Sequence, residues 1–279
     1  MSFEPKPASA LLIVGHGSTE NPDSSDPYFD HAEEIRSRNL FAEVHCCFWK
    51  EEPSLREAPY LIESQEVYVV PDFISEGYFT QEVIPRELRL TGPTTEVGGK
   101  SYHYCLPVGI HPSMTQLILK RAQEAAPGVD PSQITLIITG HCTGLNQNST
   151  KAIRDQVERI SNSNAGYACV LDAFMEEPPL IATWDSMSPT DTVVVVPFFI
   201  SDGLHSYQDI PVLLGIENEV GSAASQREIF RQNPHRLRGK TLYYTSAIGT
   251  ERSIADVILD QVTDFDLQPV VGRLPAFSS

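Results

Sequence analysis

SALLIVGHGST (Ser9–Thr19) and ITLIITGHCTG (Ile134–Gly144) share one pattern: a short apolar, β-branched run that ends on Gly-His. Working outward from them, Trp49-Lys50-Glu51-Glu52-Pro53 faces Phe174-Met175-Glu176-Glu177-Pro178. Val69-Val70-Pro71-Asp72-Phe73-Ile74-Ser75-Glu76-Gly77 faces Val195-Val196-Pro197-Phe198-Phe199-Ile200-Ser201-Asp202-Gly203, and Ile84-Pro85 faces Ile210-Pro211. His16 to His141 and Glu51 to Glu176 are both 125 positions, while Pro71 to Pro197 and Gly77 to Gly203 are 126. Four blocks in register, with one inserted residue, mark an internal duplication. Past Ile210 the offset grows: Gly109 matches Gly249, 140 positions on. The polar stretch Glu217 to Arg238 accounts for the added length and reads as a surface excursion.

Each half alternates strand and helix. Strands are expected near Ala10–Val14, Glu43–Phe48, Glu66–Pro71 and Ser101–Leu106, then near Gln133–Thr139, Tyr167–Ala173, Thr192–Pro197 and Thr241–Thr245. Their continuous Val/Ile/Leu runs suit strands covered on both faces. Helical patterns lie between them, as at Tyr28 to Arg38, Asn148 to Ser161 and Ser253 to Val262. The expected fold class is α/β: two doubly wound domains with parallel sheets, related by duplication. The boundary is expected in the Pro/Gly linker Ala126–Pro131, giving domains 1–127 and 128–279.

The net charge of −17 argues against nucleic acid, whose phosphate backbone needs a matching basic face, and against anionic membranes, so neither is expected as a partner. No apolar run reaches the length of a membrane span. The five cysteines form no Cys-x-x-Cys pair, which fits reduced thiols, mostly small core residues, in a cytoplasmic protein, monomer or homodimer.

In open parallel sheets, ligands bind beyond the carboxyl ends of the strands, and three motifs sit at such ends in both halves. Gly15-His16-Gly17-Ser18 and Gly140-His141-Cys142-Thr143 let an imidazole project from a tight turn, and also read as turn histidines capping a helix. Glu51 and Glu176 recur in register, as site carboxylates or as solvated loop residues. His205 and Asp209 share a helical face four apart, as an oriented imidazole or as a surface pair. The matching positions in the first half hold Phe79 and Val83, so both polar residues are replaced together. The second half thus offers His141, Glu176 and His205 at successive strand ends, while the first offers His16 and Glu51 only. Two imidazoles and a carboxylate suit an open site for a first-row divalent metal, and a neutral imidazole also accepts a proton near neutral pH. Cys142 beside His141 is a competing nucleophile.

Taken together, Gly-His-Gly-Ser, aromatic-x-Glu-x-Pro, Val-Val-Pro-x-Phe-Ile-Ser-x-Gly and His-x-x-x-Asp-Ile-Pro resemble the CbiX/SirB sirohydrochlorin chelatases, from about Leu11 to Ala122 and again from about Ile134 to Phe265. The resemblance implies two flavodoxin-like (chelatase-like) halves of a class II chelatase. It implies insertion of Co²⁺, or of Fe²⁺ in siroheme synthesis (with Ni²⁺ also to be tested), into a tetrapyrrole. It implies no organic cofactor. By the same resemblance His141 and His205 match the metal-handling histidines and Glu176 their acidic partner; the orienting role of Asp209 rests on its spacing from His205. His16 and Glu51 are then a secondary or vestigial copy, because Phe79 stands where the second histidine belongs. Two other readings remain: a non-catalytic tetrapyrrole or metal-binding protein of this fold, and a hydrolase acting on a phosphorylated ligand.

Overall fold

The computed structural model describes residues 3–19, 21–141, 147–218 and 228–267. Among the described residues ten strands form two five-stranded sheets. The first contains β1 (Lys6–Gly15), β2 (Phe41–Phe48), β3 (Glu66–Pro71), β4 (Thr94–Val97) and β5 (Lys100–Tyr104), in the order β2-β1-β3-β5-β4. The second contains β6 (Ile134–Gly140), β7 (Cys169–Phe174), β8 (Thr192–Pro197), β9 (His235–Leu237) and β10 (Lys240–Tyr244), in the order β7-β6-β8-β10-β9. The duplication is therefore repeated in topology.

The sheets are parallel except at one edge. β4 pairs antiparallel with β5, and β9 with β10. Both edge strands were absent from the sequence reading. Their turns are two-residue hairpins, Gly98-Gly99 (φ +62° and +80°) and Arg238-Gly239 (φ +50° and +77°), the left-handed pairing that suits the twist of a tight hairpin. The stretch read as a surface excursion from Glu217 to Arg238 thus contributes β9 and the short helix Glu228–Arg231, whose Ile229 is buried; its residues 219–227 lie outside the described set.

All seven residues of β6 and the last seven of β1 are buried, as strands covered on both faces must be. On one face of the first sheet Leu12, Val14, Val67 and Val69 pack with Leu55, Ala58, Ile84 and Leu88. On the other lie the helix Asp26–Ser37, which buries Tyr28, His31, Ala32 and Ile35 at helical spacing, and the helix Ile254–Leu267. In the second sheet Ile137, Val193, Val195 and Leu242 pack with Ile181, Trp184, Ile210 and Leu214. Trp184 is fully buried and donates its indole N–H to Leu214 O at 3.0 Å.

The chain divides into two compact units, and the division differs from the expected one at 127/128. The first unit is the chain up to Ser113 together with the described residues from Arg252; the second is Met114–Glu251. The helix Met114–Ala125, the last of the first sequence repeat, packs in the second unit on β8 and on the helix Gln147–Ser161, where Thr115 donates to Gln156 at 2.6 Å. The helix Ile254–Leu267, the last of the second repeat, packs in the first unit on β3, where Tyr68 donates to Asp266 at 2.9 Å. A linker's position in sequence does not dictate which sheet the helix before it covers.

Cys46, Cys47 and Cys105 are buried free thiols; burial pushes Cys46 up to about 12 and Cys47 well above its usual range, which disfavours the thiolate. Among the described residues no helix is long and apolar enough to cross a membrane.

Candidate functional site

At the carboxyl ends of the second sheet, three loops deliver His141, Glu176 and His205. Gly140 closes β6 against the helix Gln147–Ser161: a Cβ there would sit 2.7 Å from Ile153 Cδ1. His141 follows at once. Gly140 O accepts the Met175 N–H, which fixes the loop carrying Glu176 beside that carrying His141. His205 opens a turn of π-helix, His205–Asp209, in which Ile210 N–H donates to His205 O. Pro211 has no N–H to give and its ring crowds the carbonyl four residues back, which suits a widened turn just before it. Tyr244 pins the turn from β10, its hydroxyl donating to Ser206 O at 2.8 Å.

This geometry brings the histidines together. The rings of His141 and His205 lie 4.2 Å apart between centroids and meet edge to face at 88°. His141 Nδ1 is 2.5 Å from Glu176 Oε1, and His205 Nδ1 is 2.6 Å from Asp209 Oδ2. An ionised carboxylate only accepts, so each Nδ1 donates, and in the neutral imidazole Nε2 then carries the lone pair. Neither Nε2 has a partner among the described residues. The side chains of His141 and His205 are 33% and 47% exposed, so the pair is open to a ligand. Phe199 flanks both rings, 5.3 Å from His141 and 6.1 Å from His205. Phe198 and Tyr207, by contrast, are buried in the core.

Among the described residues no group of three or more His, Cys, Asp and Glu side chains is placed to hold a metal ion. Glu176 is placed behind His141 as Asp209 is behind His205. Asp209 was read as orienting from its spacing; the equivalent placement of Glu176 follows from the loop after β7 and has no sequence signature. Cys142 lies outside the described residues.

The first unit shows what the same turn does without the second histidine. Phe79 takes the position of His205 and meets His16 edge-on at 4.6 Å. Phe79 also stacks on Phe73 and lies 6.5 Å from Trp49, so this end is filled with rings. Glu51 turns to the backbone, accepting Ser18 N–H at 2.5 Å, and His16 Nδ1 donates to Gly17 O at 2.8 Å. Gly17 is left-handed (φ +66°), with Glu51 Cβ only 3.1 Å from where its own Cβ would be.

A polar pair also lies buried in this unit. His31 and Asp72, both buried, are 2.9 Å apart at the end of β3, and Tyr28 is raised by burial and by the Asp72 charge. The second repeat has Gln156 and Phe198 at these positions. The signal was present at Asp72, which differs from Phe198 within an otherwise repeated motif.

Two α/β repeats, of which only the second carries a histidine pair at its strand ends, define a duplicated α/β protein. The family model described as CbiX matches residues 10–125 and again 135–265, and the chain belongs to this family. It is 40% identical over 273 residues to a probable sirohydrochlorin cobaltochelatase of Halobacterium salinarum, covering 91% of each chain. Among solved structures it is similar to a multi-domain protein of Deinococcus radiodurans described as structurally similar to chelatases with two additional novel domains (TM-score 0.74, 28% identity, 91% of this chain). The chain spans 54% of that protein's length. Its fold is also that of SirB from Bacillus subtilis with Fe³⁺ (TM-score 0.70, 17% identity, covering 97% of this chain and 99% of SirB).

Proposed function

We propose that this protein is a chelatase that inserts a divalent metal ion, Co²⁺ or Fe²⁺, into sirohydrochlorin. The observation that carries the proposal is the His141–His205 pair, two imidazoles in ring contact with both Nδ1 atoms held by carboxylates. The name of the Halobacterium salinarum relative supports the substrate and favours Co²⁺.

The reaction exchanges two pyrrole N–H protons for one M²⁺. Imidazole nitrogen is a good ligand for first-row divalent ions and a competent proton acceptor near neutral pH, so one pair of Nε2 atoms serves both needs. Glu176 and Asp209 fix the tautomer that exposes the Nε2 lone pairs, and their two negative charges balance the incoming cation. Once the metal is transferred, the imidazoles take up protons that the macrocycle releases and pass them to solvent, to which both side chains are open. The aromatic side of Phe199 offers a surface for the ring system.

Asp209→Asn is expected to lower the insertion rate about 10- to 100-fold, the usual cost of losing a carboxylate behind a ligand histidine, with Tm unchanged. An unaltered rate would remove Asp209 from the site. The proposal itself is tested by mixing the protein anaerobically with sirohydrochlorin and Co²⁺, Fe²⁺ or Ni²⁺ and following the absorbance change. Acceleration over the uncatalysed rate with Co²⁺ or Fe²⁺ is expected; no acceleration with any metal would leave a binding protein.

A further inference from the structure

The chain carries 37 acidic and 20 basic side chains. Four of the basic ones, Arg56, Arg86, Arg89 and Lys100, line one cavity of about 690 Å³ in the first unit, and Glu87 is the single acid among its lining residues. The cavity is separate from the strand ends that carry His16 and Phe79: Lys100 is the first residue of β5, and Gly98 is in the hairpin turn before it.

The positive charge is only partly spent. Glu87 accepts from Arg56 Nε at 2.5 Å and from Arg86 Nε and Nη2 at 3.0 and 2.9 Å, and the Arg56 guanidinium foremost holds its carboxyl below the usual range. Lys100 donates to Pro59 O and Ile62 O. The Arg89 side chain has no partner among the described residues, and Arg56, 78% exposed, uses one of its five donors.

The second unit shows that this arrangement is not required by the fold. Arg89 ends its helix in the left-handed conformation (φ 57°, ψ 37°), where the second unit has Gly215 (φ 80°, ψ 19°). A side chain there strains the backbone, and glycine relieves it. At the positions matching Arg56 and Arg86 the second unit has Ala182 and Val212. It closes the same place with Arg238, which donates to Ala182 O and Asp185, lies over Trp184 and reaches within 3.2 Å of where a Gly215 Cβ would be. The first unit has Gly98 at the position of Arg238 and so lacks this plug.

We infer that the cavity is a binding site for a small multivalent oxyanion, a molecule bearing two or more carboxylate or phosphate groups. Arginine's planar fork of donors matches both groups bidentately, and three guanidiniums around one pocket reward a ligand with more than one of them. The wall of the cavity also includes Tyr60, 87% exposed.

Isothermal titration of the whole protein at low salt, with citrate and with pyrophosphate in separate arms, tests the site and distinguishes carboxylate from phosphate. One saturable site for at least one of them is expected. Arg89→Gly and Gly98→Arg copy the second unit, and each is expected to weaken binding at least about tenfold, because charge-assisted bidentate contacts are lost or displaced. Arg56→Ala, at an exposed side chain, gives the same readout should either of those fail to fold. No saturable binding of either anion, or unchanged affinity in the folded variants, would overturn the proposal.

Discussion

Replacing His205 with phenylalanine, the residue at the matching position 79, is expected to lower metal insertion at least about 100-fold, since a positioned acid–base group contributes about 10²- to 10⁴-fold. The variant should fold, because the first unit accommodates Phe79 in the same π turn, in edge-on contact with His16 at 4.6 Å. It removes one Nε2 and leaves His141 with Glu176 in place. His16→Ala, by contrast, is expected to change the rate less than about threefold, since a lone imidazole packed on Phe79 offers neither the paired lone pairs nor the carboxylate behind them. Steady-state rates with Co²⁺ for the two variants check both statements. The opposite ranking would move the working half from the second repeat to the first.

The second large effect concerns backbone packing. Gly249 donates its N–H to Phe199 O at 2.9 Å, and a Cβ on it would sit 2.2 Å from Ile200 Cα and O. No rotamer relieves a clash with backbone, so the loop after β8, which carries Phe199 and leads to the π turn of His205, must shift. Gly249→Ala is expected to destabilise the protein by about 3 kcal/mol, the upper range for overpacking a close contact, and to slow insertion as well. Gly109→Ala meets Ile74 backbone at 2.1 to 2.3 Å in the first unit and should cost as much stability, with less effect on rate. Gly92→Ala, whose Cβ would lie 3.9 Å from Thr94 O, is the control and should stay within about 0.5 kcal/mol. Thermal unfolding by circular dichroism reads all three; equal melting temperatures would refute the close approach.

The parts of the site visible in sequence are those that duplication exposes. In a parallel α/β sheet the residues after each strand converge, so Gly-His, the acidic loop and the His205 turn could be assembled from spacing alone. The contrast of His205 and Asp209 with Phe79 and Val83 was legible because one half serves as a reference for the other. Three features were not legible, for different reasons. Glu176 lies behind His141 Nδ1, a choice between equivalent carboxylate positions that is set by how the loop after β7 meets Gly140. The helices Met114–Ala125 and Ile254–Leu267 carry apolar faces that fit either sheet, so their spectrum of buried residues does not name the partner. The edge strand β4 was readable from Gly98-Gly99 between β-prone segments, but β9 was hidden in a polar stretch where Arg238 takes a left-handed conformation usually left to glycine.

On the proposed mechanism one metal ion is handled by the His141–His205 pair. This is tested most directly by the anomalous scattering of cobalt in crystals exposed to Co²⁺. A peak is expected about 2.1 Å from the Nε2 atoms of His141 and His205, the usual metal–imidazole distance. A peak on His16 and Glu51 instead, or none at the histidine pair under conditions that support turnover, would contradict it.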